Sequence, residues 1–394
     1  MAEKNKATTV WDYLQWRGDL QMEQDGFNEV DNLLLCILSY LDFRRIPGLT
    51  NFSPADAIPL PDVCAQLTDG DEQLGLSEED YIPVMRAMAA TPRFRPVRMF
   101  AFESSIDEEK VMQFAAVSFL LPDESVFIAY RGTDTTLVGW QEDFNMSFLE
   151  AVPAQLRATE YAKEVAAATP RRTLRLGGHS KGGNLAVWAA VHLPQRLQRR
   201  RLAQVYNNDG PGFGPEVLES EAYQRIADRI ETFIPESSIV GMLLEHTEEY
   251  SVIASTNRSL MQHEPLSWVV LGNQFVCLGQ RSEAAQLGDN AMREWLADLS
   301  SQERREFTEA LYSILSKGGK AKTIEDLNTG SLAGGVALLK EYIGADEKKK
   351  KVIGDILGRL AVDVGEELRK AASLRLKQAE EGFRQAIAEL KKPQ

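Results

Sequence analysis

Ser180 is framed by glycine at both second neighbours, in Gly178-His179-Ser180-Lys181-Gly182, and an alanine-rich run follows at once in Gly183-Asn184-Leu185-Ala186. A serine on a sharp turn between a strand and a helix can serve as a nucleophile, and this Gly-x-Ser-x-Gly spacing is the one such a turn demands. The glycines have a steric reason: the serine backbone is held in a strained conformation, and its neighbours pass too close for a Cβ. The helix that begins after Ser180 aims free N–H groups and the positive end of its dipole at whatever the serine oxygen attacks. The chemistry implied is acyl transfer through a covalent serine intermediate.

A serine nucleophile needs a general base, and the chain has four histidines. His179 precedes Ser180 directly, so on a strand it faces the other way and packs under the turn. His192 stands twelve residues on, about 18 Å along a helix that rises 1.5 Å per residue. His246 ends an apolar helical stretch with nothing around it that suggests a role. His263 falls on a loop late in the chain, which agrees with the order Ser, acid, His found in hydrolases with such a turn. His263 is therefore the expected base. Two carboxylates can orient it. Asp209 follows the strand after Ser180, and Glu236 follows the strand after that; Asp209 is preferred, Glu236 is the alternative acid. The oxyanion hole would combine the main-chain N–H of Lys181 with a donor at the end of an earlier strand, where Thr133 is the candidate.

The flanking elements suit these roles. Residues 98–102, 112–120 and 126–130 read as strands, with a turn at 122–125 between the last two. A helix over 153–168 leads to a strand at 173–177, the serine turn, and a helix over 184–192. Further strands are expected at 202–207, 229–235, 251–255 and 267–271. Strands alternating with helices from 126 to 271 predict a mostly parallel sheet with helices on its faces, an α/β fold. Before it, residues 1–45 read as helical, with an apolar and therefore buried helix at 33–41, and short helices are expected at 60–67 and 78–90.

Composition narrows the partners. The 394 residues carry 44 Lys and Arg against 58 Asp and Glu, a net charge of −14. Such a surface argues against nucleic acid, whose phosphates require a basic partner. Cys36, Cys64 and Cys277 are too few and too scattered for a disulfide framework or a metal cluster. No metal or organic cofactor is expected. No run is long and apolar enough to span a bilayer, and the N-terminus lacks the apolar core of a signal peptide, so a cytoplasmic protein is expected.

Three motifs together resemble the class 3 (fungal-type) lipases: Ala129-Tyr130-Arg131-Gly132-Thr133-Asp134, then Gly139-Trp140-Gln141-Glu142-Asp143, then Gly178-His179-Ser180-Lys181-Gly182-Gly183. The opening Trp16-Arg17-Gly18-Asp19-Leu20, Asn28-Glu29-Val30-Asp31 and Asn208-Asp209-Gly210-Pro211-Gly212-Phe213 are similar to a group of uncharacterised bacterial lipase-like proteins. The lipase resemblance covers roughly 96–275. It implies an α/β-hydrolase fold, Ser180 as nucleophile, Thr133 and Lys181 as oxyanion donors, and His263 as base. Two positions depart from the lipase pattern. The acid of those enzymes lies in an Asp-x-Val segment, which here reads Ser238-Ile239-Val240, so the carboxylate must move to Asp209 or Glu236. Lys181 stands where they usually carry leucine, which would set a charge beside the acyl site.

The expected organisation is an N-terminal helical segment packing on the core (1–95), an α/β-hydrolase core (96–281) and a C-terminal helical region (282–394). Within 348–392 the apolar stripe thins after about 369, which predicts a helix that projects into solvent or pairs with a second copy in a homo-oligomer. The expected function is hydrolysis of a small acyl-ester, thioester or lipid-like substrate through a Ser-His-Asp triad. The alternative is a non-catalytic lipase-like scaffold working through its acidic helices.

Overall fold

The computed structural model describes residues 7–68, 81–134, 136–238, 249–279 and 298–315, with 351, 352 and 354. His246 and most of the helices expected beyond 282 lie outside them. At its centre is a nine-stranded sheet: β1 (Ile58–Pro59), β2 (Arg98–Asp107), β3 (Met112–Leu120), β4 (Val126–Tyr130), β5 (Leu174–His179), β6 (Leu202–Asn208), β7 (Ile230–Pro235), β8 (Tyr250–Ile253) and, at the far edge, Cys277–Leu278. The five strands β4 to β8 are parallel; β1, β2 and β3 and the far-edge strand run antiparallel to their neighbours. Mostly parallel strands with helices on both faces, interrupted by a strand–serine–helix turn, make an α/β-hydrolase fold.

From β1 to β8 the strands lie side by side in chain order. Parallel crossovers are right-handed almost without exception, so consecutive ones place their helices on one face. Here α6 (Pro153–Ala168) and α7 (Lys181–His192) share a single apolar cluster with Val126, Ile128 and Tyr130 of β4. The alternate residues of the same strand, Phe127 and Ala129, point the other way. That second face is not left to solvent. It is covered by α1 (Val10–Trp16), α2 (Glu29–Leu38), α3 (Leu60–Cys64) and α4 (Ile82–Ala90), whose apolar residues join Phe127, Ala129 and Trp268 in one cluster. The N-terminal segment is thus one wall of the central core.

α2 shows why. Asn28 caps it by accepting from the N–H groups of Val30 and Asp31, and every residue from Val30 to Leu38 is buried. Asp31 pairs with the fully buried Arg93, takes the Tyr13 hydroxyl at 2.8 Å, and leaves the guanidinium to donate also to Leu20 O, Asp25 O and Gly26 O.

Several sequence expectations are corrected. The 267–271 strand is only a two-residue arm, Val270–Leu271, hairpinned to Gln274–Phe275 outside the main sheet. Pro265 starts a 3₁₀ turn just before it and shortens the strand. Between β4 and α6 lies a helix for which the sequence reading made no assignment, α5 (Leu137–Asn145), capped by Thr136 accepting from the Gly139 N–H. Where residues 1–45 read as helical throughout, the described residues 7–45 hold two helices, α1 and α2, joined by turns. The helix Ser301–Leu315 packs on α5, Phe144 against Phe307. No helix among the described residues is long and apolar enough to cross a membrane.

Candidate active site

Ser180 occupies the turn from β5 into α7 with φ 59° and ψ −135°, a strained left-handed conformation for a residue with a side chain. Close packing enforces it. A Cβ on Gly178 would lie 2.1 Å from the Gly182 carbonyl oxygen, and one on Gly182 would lie 2.1 Å from that of Tyr130. The Ser180 N–H donates to Asn208 O at 3.0 Å, and its carbonyl accepts from Gly183 N at 2.9 Å. Ser180 is half-buried, and its hydroxyl makes no hydrogen bond among the described residues.

β6 ends beside it. Asp209, at φ 56°, follows the last residue of that strand and is fully buried. His263 comes from a 3₁₀ turn (Ser259–His263), and its Nδ1 lies 2.6 Å from Asp209 Oδ2. The same oxygen accepts from the Ser238 hydroxyl at 2.7 Å, while Asp209 Oδ1 is buried without a partner. Ser238, just past the end of β7, thus steadies the carboxylate that stands at the end of the neighbouring strand β6. Glu236 is elsewhere: its N–H continues the sheet to Ile253 O at 3.2 Å, and no described contact joins it to His263.

His179 does more than pack. Its ring lies 4.5 Å from that of His263, tilted by 32°, and its Nε2 meets the His263 carbonyl at 2.8 Å. A carbonyl only accepts, so Nε2 carries the proton and Nδ1 accepts from the Tyr40 hydroxyl at 3.1 Å. Burial, and then the nearby His263, hold the His179 imidazole well below the usual histidine range. His192 is far along α7, stacked on Trp188.

Thr133 and its neighbours lie against the serine turn: a Cβ on Gly132 would be 3.0 Å from that of Ser180. The Thr133 hydroxyl donates to Asp143 Oδ2. Lys181 is the first residue of α7, so its N–H has no intrahelical acceptor. Its side chain corrects a sequence expectation. The ammonium is buried and donates to Gln113 O at 3.2 Å, Gln113 Oε1 at 2.6 Å and Glu142 Oε2 at 3.0 Å, so the charge is paired inside the protein. Burial opposes that charge, but Glu142 and Asp143 outweigh it and hold the lysine above its ordinary pKa. Burial pushes Asp143 up to about 6, against the pull of Lys181 and the Thr133 hydroxyl.

Over residues 88–313, more than half the chain, the sequence matches the family model described as Mbeg1-like. The chain belongs to the Mbeg1-like family. No curated protein matches the sequence. Among solved structures, this Mbeg1-like chain is similar to the Lip2 lipase of Yarrowia lipolytica, at 13% identity over 65% of this chain and 87% of that one, with a TM-score of 0.37. The mono- and diacylglycerol lipase of Aspergillus oryzae is similar at 12% identity over 64% and 87%, TM-score 0.36. The Rhizomucor miehei lipase propeptide complex is similar at 16% identity, over 43% of this chain, with a TM-score of 0.33. The chain spans 58% of the length of that last protein.

A cavity of about 830 Å³ runs beside α7, walled by Asn184, Trp188, Phe213, Phe148, His192 and Arg304. Ser180, Asp209 and His263 do not line it. The sequence offered no signal for Gln113, and it set Ser238 and Glu142 in motif segments without showing what either side chain touches. Each acquires its place only through contacts between distant elements.

Proposed function

We propose that this protein is a serine-dependent carboxylic ester hydrolase acting on a small acyl-ester, thioester or lipid-like substrate. The observation that carries the reading is the 2.6 Å contact between His263 Nδ1 and the buried Asp209 carboxylate, beside a serine held in a strained turn. In this reading Ser180 Oγ attacks the acyl carbonyl and His263 Nε2 takes its proton. The bond from Ser180 to His263 forms as substrate binds, since such contacts tighten in the Michaelis complex. Asp209 fixes the imidazole tautomer and stabilises the imidazolium. The oxyanion draws on the N–H at the start of α7, with Thr133 contributing the second donor. His263 then protonates the leaving alcohol or thiol, and water repeats the sequence on the acyl-enzyme.

A fluorophosphonate probe tests this. Wild-type protein at pH 8 is expected to be labelled at Ser180, and Ser180→Ala to abolish the label. Labelling at another serine, or none in folded protein, would favour the non-catalytic scaffold instead.

A further inference from the structure

Lys181 contributes its main-chain N–H to the proposed oxyanion hole, yet its side chain runs away from the serine into a closed cage. The three N–H bonds of the ammonium meet three acceptors, Gln113 O, Gln113 Oε1 and Glu142 Oε2, so its donor capacity is used up. Each acceptor is anchored in turn. Glu142 Oε2 also accepts from the Gln113 N–H at 3.0 Å, and Glu142 Oε1 accepts from Ala154 N at 2.8 Å, so α5, β3 and the start of α6 are tied at one carboxylate.

Two routes lead from this cage to the other side of the oxyanion hole. Gln113 accepts from Lys181 through Oε1 and donates through Nε2 to the Gly132 carbonyl at 3.4 Å, the residue before Thr133. On the second route, Lys181 Nζ lies 3.7 Å from Asp143 Oδ1, and the other oxygen of that carboxylate holds the Thr133 hydroxyl. Gly139 closes the space between them; a Cβ there would sit 3.1 Å from both Gln113 Oε1 and Thr133 Cγ2. One ammonium is therefore joined to both segments that supply oxyanion donors.

We propose that Lys181 is a positioning residue, whose side chain sets the spacing between its own main-chain N–H and the Thr133 segment through Gln113, Glu142 and Asp143. This rests on the ester-hydrolase reading above. A leucine could fill the volume, but it could not bond to both segments. The oxyanion donors act only when held within a fraction of an ångström of the developing charge.

The test compares wild type with Lys181→Met/Glu142→Gln, which removes the two fully buried charges together and leaves only the part-exposed Asp143 carboxylate, still held by the Thr133 hydroxyl. With a p-nitrophenyl ester, kcat is expected to fall on the order of 10², with KM within about threefold. Inhibition by a trifluoromethyl ketone, which places an oxyanion on Ser180, should weaken in step with kcat/KM. A folded double variant with kcat within about threefold of wild type would overturn the proposal and make the cage a core ion pair only. Should that variant not fold, Gln113→Leu decides. It cuts the route to Gly132 while leaving the Lys181–Glu142 pair, and kcat is expected to fall about tenfold; unchanged kcat overturns the proposal. Wild type that is neither labelled by fluorophosphonate nor active on esters defeats the ester-hydrolase reading itself, an outcome separate from a variant that keeps full activity.

Discussion

Ser238 donates its hydroxyl to Asp209 Oδ2 at 2.7 Å, on the same oxygen that His263 Nδ1 approaches to 2.6 Å. The two residues lie at the ends of adjacent parallel strands, β6 and β7, so either edge of this gap is within reach of the histidine loop. The carboxylate occupies one edge and a hydroxyl steadies it from the other.

This division of labour predicts a ranking. Asp209→Asn should lower kcat by about 10³ to 10⁴, because the amide presents the wrong hydrogen-bonding group to the imidazole. Ser238→Ala removes support for the acid and keeps the charge, so about tenfold or less is expected. Glu236→Gln should change kcat less than tenfold, since only its main chain is engaged by the sheet. Steady-state kinetics on one short ester decides the order, and a larger loss from Glu236→Gln than from Asp209→Asn would move the acid to Glu236.

His179 gives a pH signature independent of catalysis. Its imidazole is neutral in the folded protein, with a pKa well below the ordinary 6.5, because of burial and the adjacent His263. The unfolded chain binds this proton more readily than the native one, so stability rises with pH across the window below 6.5 and is complete above it. Falling pH therefore erodes stability by up to about 1.4 kcal/mol per pH unit for this one group. His179→Gln keeps a donor toward the His263 carbonyl and removes the titration. Urea unfolding of both proteins between pH 5 and 7 should show a shallower acid slope for the variant, and equal slopes would refute the assignment.

What could be read from the residues alone was local. Ser180 with its glycines, the alternating strands and the loop position of His263 are short-range patterns with fixed periods. The neighbours that organise the site are not. His179 holds the His263 carbonyl across 84 residues of sequence, and Lys181 reaches Gln113 across 68. Lysine at 181 looked like a charge beside the substrate because nothing nearby in sequence announces Glu142 as its partner. Residues 267–271 carried the apolar pattern of a strand, yet Pro265 and the 3₁₀ turn it begins left only a two-residue arm.

The serine turn should tolerate no added methyl. On Gly182 a Cβ would approach Tyr130 O to 2.1 Å and the Arg131 carbonyl carbon to 2.9 Å, and these are backbone atoms of the central strand and the segment leaving it. Gly182→Ala must push α7 away from β4. Destabilisation of at least about 1–3 kcal/mol is expected, together with loss of fluorophosphonate labelling. Thermal melting and labelling on one preparation check both, and a variant that labels at the wild-type rate would show that the turn is less tightly packed than these distances require.

The wall built by α1 to α4 can be tested at a fully buried ion pair. Asp31 and Arg93 are both fully enclosed, and the acid receives Tyr13 and Asn28 N–H as well as the guanidinium. Removing one partner of such a pair leaves a charge buried without its counterion, which is far worse than never having had the pair. Asp31→Asn should therefore destabilise the protein by about 3–5 kcal/mol, although Asp31 lies in α2, on the face of the sheet opposite α7. Arg93→Met/Asp31→Asn should recover part of that loss, since neither charge then remains. The two variants, unfolded in urea beside wild type, give the comparison. A single variant as stable as wild type would mean that the N-terminal helices contribute little to holding the sheet. A destabilised single variant with a partly restored double variant would make this covering layer part of the same cooperative unit as the serine turn.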